Sequence, residues 1–235
     1  MLPNLDVRIL LEFNALVPAD KAKLELFDLI GRNPLIRGLP LVFPFMVVWL
    51  AGQEEPKRHA RMLMGLLAVF AATLLTVQMQ HYIPLHVRPI LDPSLPLQHL
   101  QLSDAQLWDR KYSFPSDTAT LFFALATVVF LENRLLGTIG LVWTLLYVGF
   151  FRVATGWHYP SDILGSLVVG PCFVLLLEKP RQLVSLAERC LERWKNYPNA
   201  ITAAVFVSLA DAYSLFSGLG DIYSRLSHMA KALLH

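Results

Sequence analysis

Charge is scarce in this sequence. Asp, Glu, Lys and Arg make up 16% of its 235 residues, where a soluble domain carries about a quarter. The deficit accompanies 55% hydrophobic residues and a mean hydropathy of +0.48, a balance that excludes an ordinary water-soluble globule. An excess of one sign is missing too: a net charge of +2 makes no field that would gather nucleic acid. Cysteine is limited to Cys172, inside an apolar run, and Cys190, in a basic amphipathic stretch. That spacing fits neither a disulfide framework nor a metal site. There is no internal repeat and no low-complexity tract. The opening residues, MLPNLDVRILLEF, mix acids with apolar residues and lack the small-residue cleavage site of a signal peptide.

Long uncharged runs are present instead. A helix that crosses a membrane takes about 20 mostly apolar residues. Met62–Gln80 and Leu135–Phe151 meet that standard without a charge, and Gly38–Gly52, Thr118–Leu131 and Ile163–Leu177 approach it if their polar ends reach the interface. A sixth run, Asn199–Ser217, carries Asp211. The expected fold class is therefore all-α, an integral membrane bundle of about six transmembrane helices. Leu5–Ile30 has helical spacing but too many charges to cross, so it is expected to lie at the interface as an amphipathic helix. Lys179–Lys195 reads similarly and is strongly basic. Leu91–Phe114 is a long connection with Pro93 and Pro96, of the kind that forms lids or binding elements. Four segments follow: an interfacial segment, 1–33; a membrane core, 34–177; a basic connector, 178–198; and a last helix with its tail, 199–235.

Three polar clusters fall on one face of such a bundle. HYIPLHVRP, His81 to Pro89, follows the second span; SFPSDTAT, Ser113 to Thr120, opens the third; RVATGWHYPSD, Arg152 to Asp162, follows the fourth. Ionisable groups at the mouths of hydrophobic helices are costly unless they have a function. Their chemistry suits an anion. Arg88 and Arg152 are permanent, planar cations matched to phosphate oxygens. Pro115-Ser116 opens a helix whose N-terminus offers N–H groups and a positive dipole end. His158 and Asp162, four apart, share one face of a helical turn, so the carboxylate can fix the imidazole tautomer and leave the other nitrogen to attack phosphorus. Two arginines and a helix end neutralise the phosphate, so no metal and no other cofactor is required. Taken singly, each residue has a plainer reading: an arginine anchoring a headgroup, a proline-serine cap, a histidine in an aromatic belt. The joint spacing makes a site.

These motifs resemble the signature of the type-2 phosphatidic acid phosphatase superfamily of integral membrane lipid phosphatases: Lys-six-Arg-Pro, then Pro-Ser-Gly-His, then Ser-Arg-five-His-three-Asp. The wording SFPSD and HYPSDILGSLVVG is most similar to the bacterial undecaprenyl-diphosphate phosphatase branch, and the resemblance covers about residues 25 to 177. It implies that His158 is the nucleophile that becomes phosphohistidine, that Asp162 orients it, and that Arg88, Arg152 and Ser116 hold the phosphate. Four positions depart from the pattern: His81 stands for the lysine, Asp117 for the glycine, Thr118 for the second-motif histidine and Phe151 for the serine. Aspartate at the glycine position is common in that branch, and a protonated His81 can still bind phosphate. Thr118 matters most, because the histidine it replaces protonates the leaving group and later activates water. Asp117, His81 and His86 are the candidate substitutes.

The expected activity is a lipid phosphate or diphosphate phosphatase, or a phosphotransferase to a lipid or glycan hydroxyl. The alternative is a non-catalytic lipid-phosphate binder, although such a protein has no use for an oriented nucleophile. The expected setting is a bacterial inner membrane. The segments opposite the clusters carry Lys57, Arg58, Arg61, Arg134, Lys179, Arg181, Arg189, Arg193 and Lys195. The cluster side holds as many apart from Arg88 and Arg152, but in longer segments, so the positive-inside bias of short loops puts the site on the periplasmic or outer side.

Overall fold

The computed structural model describes residues 2–52, 55–98 and 112–213. Among them every regular element is helical, apart from one antiparallel bridge between Val87 and Tyr112. The helices are α1 Leu2–Asn14, α2 Lys21–Arg32, α3 Pro34–Ala51, α4 Pro56–Tyr82, α5 Asp117–Glu132, α6 Arg134–Ala154, α7 Pro160–Glu178, α8 Arg181–Arg193 and α9 Pro198–Tyr213. The middle of the Leu91–Phe114 connection and the end of the expected last span lie outside the described residues.

Among the described residues four helices are long and apolar enough to cross a membrane: Lys21–Ala51, where α2 runs on toward α3, Pro56–Tyr82, Arg134–Ala154 and Pro160–Glu178. By that measure four of the six expected spans are found, while the sixth run, which begins in α9, extends past the described residues. The expected third span is present as α5, but at 16 residues it is about 24 Å long against a hydrocarbon core of about 30 Å. Burial accounts for this, because every residue from Asp117 to Val129 is enclosed by α3, α4, α6 and α7. A helix that never faces lipid need not match its thickness.

The surrounding helices turn large apolar side chains outward, among them Phe43, Leu67, Leu74, Ile139, Leu146 and Leu164. In water that surface would drive association, and against acyl chains it is matched. Inside, the hydroxyls of Thr73, Thr127 and Thr144 donate to the carbonyls of Val69, Phe123 and Gly140 at 2.7–2.8 Å, so the bundle buries them satisfied. At the end of α5 remote from its N-terminus, Arg61 of α4 grips Glu132 at 2.8 and 3.1 Å, with Glu178 of α7 at 3.8 Å.

The expected single amphipathic helix over Leu5–Ile30 is two helices. Asp20 ends the interruption by accepting from Lys23 N at 3.1 Å, as the N-cap of α2. The first half, α1, packs on the end of α6 and on α7. Lys179–Lys195 forms α8, whose apolar side, with Ala187, covers Ala60 and Met64 of α4.

Candidate active site

The Arg152–Asp162 stretch is a helix end folded back on itself. A π-helical segment, Thr144–Gly149, re-aims the last turns of α6, an insertion that recurs at functional sites. After Ala154 the chain reverses at Gly156, whose φ of +72° puts it in the left-handed region. A Cβ there would also stand 3.0 Å from Leu97 Cδ1. The reversal lets the amides of Trp157 and His158 both donate to the Arg152 carbonyl, at 3.1 and 3.2 Å, while Ile90 N donates to Gly156 O at 2.9 Å. The five-residue spacer therefore brings Arg152 and His158 together and ties them to the segment carrying Arg88.

The N-termini of α5 and α7 are also stitched. Ser166 Oγ bonds to the carbonyls of Ser116 and Asp162 at 2.8 Å each. Gly170 permits the approach, since a Cβ there would lie 2.7 Å from Thr120 O on α5.

His158 is fully buried. Its Nδ1 lies 2.9 Å from the Ser113 carbonyl and 3.5 Å from Asp162 Oδ2. A carbonyl only accepts, so Nδ1 carries the proton and Nε2 presents its lone pair. That lone pair is 3.3 Å from Arg88 Nη1. Burial is the main reason the imidazole pKa is held below its ordinary value; the hydrogen bond to Asp162 opposes this, and the charge of Arg88 adds to the lowering. The balance favours the neutral ring. Asp162 sits in the first turn of α7 and accepts from Tyr159 N at 2.8 Å, so the carboxylate is itself held by the turn.

Arg88 is buried, donating to Trp157 O and Gln80 Oε1 at 3.1 Å each, with its guanidinium 5.3 Å from the Trp157 ring centroid. Arg152 lies 6.0 Å from the same ring, so both cations share one indole. Arg152 also donates to the Thr118 hydroxyl, and that hydroxyl donates to Asp117 Oδ1 at 3.3 Å. The side chain in place of the missing histidine therefore links an arginine to a buried carboxylate.

The expected anion site at the N-terminus of α5 is partly occupied by the protein itself. Thr118 N donates to Asp117 Oδ1 at 2.7 Å, and Ala119 N to Ser116 Oγ at 3.3 Å. Ser116 is the N-cap, so its hydroxyl is already committed as an acceptor.

Of the residues singled out in the sequence, the structure brings together Arg88, Ser116, Asp117, Thr118, Arg152, His158 and Asp162. His81 stands apart: it is exposed, with its ring edge-on to Tyr82 at 4.8 Å. Its neighbour Gln80 turns inward instead, with Nε2 donating to Pro115 O at 2.6 Å as Oε1 accepts from Arg88. His86 reaches Asp162 Oδ1 at 3.4 Å. This carboxylate contact places it on the Asp162 side of His158, away from the Nε2 that faces Arg88. Gln80, the Ser113 carbonyl and Trp157 are thus parts of the site that motif spacing missed. A glutamine near the end of a long uncharged helix was the one available signal.

Comparison with known proteins identifies the family. The family model described as the PAP2 superfamily matches residues 62–179. Undecaprenyl-diphosphatase BcrC of Bacillus subtilis (strain 168) is 28% identical over 156 residues, 63% of this chain and 72% of the relative. Bacitracin transport permease protein BcrC of Bacillus licheniformis is 33% identical over 88 residues, 34% of this chain and 43% of the relative. No solved structure matches the chain. With a matched region of half the sequence that holds Arg88, Arg152, His158 and Asp162, the chain belongs to the PAP2 superfamily.

Proposed function

We propose that this protein is a membrane lipid diphosphatase that acts on a polyprenyl diphosphate through a phosphohistidine at His158. One observation carries the reading: a buried imidazole whose proton is fixed on Nδ1 aims its Nε2 lone pair at Arg88 Nη1, 3.3 Å away. That is where a bound phosphate would meet both cation and nucleophile. The name of the Bacillus subtilis relative supports a polyprenyl diphosphate as the substrate class.

In the first step Nε2 attacks the terminal phosphorus, and the bond from that phosphorus to the bridging oxygen breaks. The lipid monophosphate leaves with the electron pair. Arg88, Arg152 and Ser116 hold the transferring phosphoryl group and neutralise its charge, and Asp162 compensates the positive charge that develops on the imidazole. In the second step water adds to phosphorus, inorganic phosphate departs and Nε2 recovers its lone pair. A lipid or glycan hydroxyl taking the place of water would make the protein a phosphotransferase. Thr118 cannot donate a proton near neutral pH. A lipid phosphate is a weak enough base to leave without one, whereas the alkoxide from a monoester is not. Asp117, bonded to the Thr118 hydroxyl, is the nearest alternative acid.

In this reading residues 34–177 are the catalytic core, and 1–33 flank it. The basic connector 178–198 faces the cytoplasm, and 199–235 begin with a sixth span. The site faces the periplasmic or outer side of the bacterial inner membrane. An impermeant thiol reagent applied to intact cells should label a Tyr82→Cys variant and spare native Cys190; the reverse pattern would invert the orientation. Purified protein incubated with polyprenyl diphosphate, polyprenyl monophosphate and phosphatidic acid should release phosphate from the diphosphate first. Following phosphorylated lipid or glycan products in the same reactions separates hydrolysis from transfer. No turnover on any of the three would overturn the proposal.

A further inference from the structure

We propose that helix α1 is a positioning element of the phosphate site, acting through Asn14. The inference rests on the reading of that site as one of phosphoryl transfer, and it concerns a helix that lies outside the matched family region.

The last carbonyls of a helix lack partners within it. In α6 those of Phe151, Arg152 and Val153 are met by the reversing chain, through Thr155 N, the amides of Trp157 and His158, and Gly156 N. The carbonyl of Ala154 is met from another helix: Asn14 Nδ2 donates to it at 2.8 Å. The same amide reaches the connection after Arg88, where Oδ1 accepts from Gln98 N at 2.7 Å and Nδ2 lies 3.4 Å from Gln98 O. Asn14 is buried, and its donor and acceptor atoms both go to the backbones of site-bearing segments. It is therefore a C-cap in trans for the helix that ends beside Arg152.

Two other residues of α1 act on the same structure. Asp6, Leu10 and Asn14 repeat every four residues, so they share one helix face. Leu10 is fully buried in a cluster with Leu97, Val153 and Ile163. Asp6 Oδ1 accepts from Ser161 N at 3.0 Å, capping the helix on which the next residue is Asp162. The opposite face carries the exposed pair Arg8–Glu12. One face of α1 thus holds the Arg152–His158 turn, the start of α7 and the connection carrying Arg88 in fixed relation.

The test uses the full-length protein in detergent. Asn14→Ala should lower kcat on a polyprenyl diphosphate about 10- to 100-fold, the scale on which a small misplacement of catalytic groups acts. Arg8→Ala on the exposed face should leave it unchanged. Asn14→Asp discriminates positioning from mere folding. An ionised carboxylate still accepts from Gln98 N but repels the Ala154 carbonyl, whereas the protonated form donates to it. The activity of Asn14→Asp relative to the parent should therefore recover as the pH falls from about 8 to about 5, the range reached by a carboxyl raised by burial, while the Asn14→Ala ratio stays level. Amide hydrogen exchange over residues 152–158 gives a readout independent of turnover and should quicken in Asn14→Ala. Parental kcat in Asn14→Ala, a level Asn14→Asp ratio or unchanged exchange would overturn the inference. A parent that turns over no lipid phosphate would sink the functional reading instead and leave the exchange result to judge α1.

Discussion

Replacing Gln80 by alanine should disable the site without touching any residue of the family motifs. Its amide bridges two parts of the phosphate site, accepting from Arg88 Nη2 at 3.1 Å and donating to Pro115 O at 2.6 Å. Pro115 precedes the N-cap of α5, so the bridge fixes a cation relative to the helix end it faces. A hydrogen bond to a charged group is worth about 1.5–3 kcal/mol and a neutral one about 1. Removing both forfeits about 2.5–4 kcal/mol, which becomes about 70- to 900-fold in kcat/KM if all of it is lost from the transition state. Gln80→Glu should do no better, because it loses the donor to Pro115 and adds a negative charge where an anion must bind. The assay is phosphate release from a polyprenyl diphosphate across substrate concentrations, with thermal unfolding in detergent measured alongside. A folded Gln80→Ala protein within about threefold of the parent would refute the reasoning, leaving Arg88 positioned by its other contacts alone.

Other outcomes follow from the same geometry. Asp162→Asn should lower kcat by about 10²- to 10³-fold, the scale for losing one electrostatic stabiliser, because the Ser113 carbonyl at 2.9 Å preserves the tautomer while the compensating charge is gone; complete loss with normal folding would give Asp162 the tautomer role as well. The parent should favour diphosphates over monoesters by about 10²- to 10⁴-fold, the contribution of a general acid, and Thr118→His should raise monoesterase activity the more of the two. Equal parental rates on both substrates would show that another group already supplies the proton. Burial lowers the His158 pKa, so protonation silences the nucleophile only under the ordinary value of about 6.5, and the acid limb of kcat/KM should lie below it. The same sign makes folding less favourable as the pH falls from about 6.5 toward the folded-state value. An acid limb of kcat/KM above 6.5 would contradict the assignment.

The grouping of the site residues was largely readable because it is written locally. Arg152, His158 and Asp162 lie within one turn and its following helix, and their spacing survives as contact. His81 shows where spacing fails. Consecutive residues on a helix point about 100° apart, so at the end of α4 the residue in motif register faces outward while Gln80 faces Arg88. The Ser113 carbonyl was hidden for a different reason: any residue can supply one, and its role comes from the loop's path. Asn14 joins segments 84 and 140 positions away, which no local pattern records. Span counting relied on matching bilayer thickness, and α5 escaped that rule by being enclosed on all sides. The break within Leu5–Ile30 did leave a trace, since Pro18 and Asp20 are a helix stop and an N-cap.

The central claim is a covalent bond between phosphorus and His158. Protein mixed with a polyprenyl diphosphate labelled in its terminal phosphate, quenched in alkali and digested, should carry label on the peptide containing His158. The label should be stable to alkali and lost in acid, as expected of a phosphohistidine, and absent from His158→Ala, which should also lack turnover. Turnover by His158→Ala, or sustained turnover by the parent with no trappable label at His158, would contradict the account.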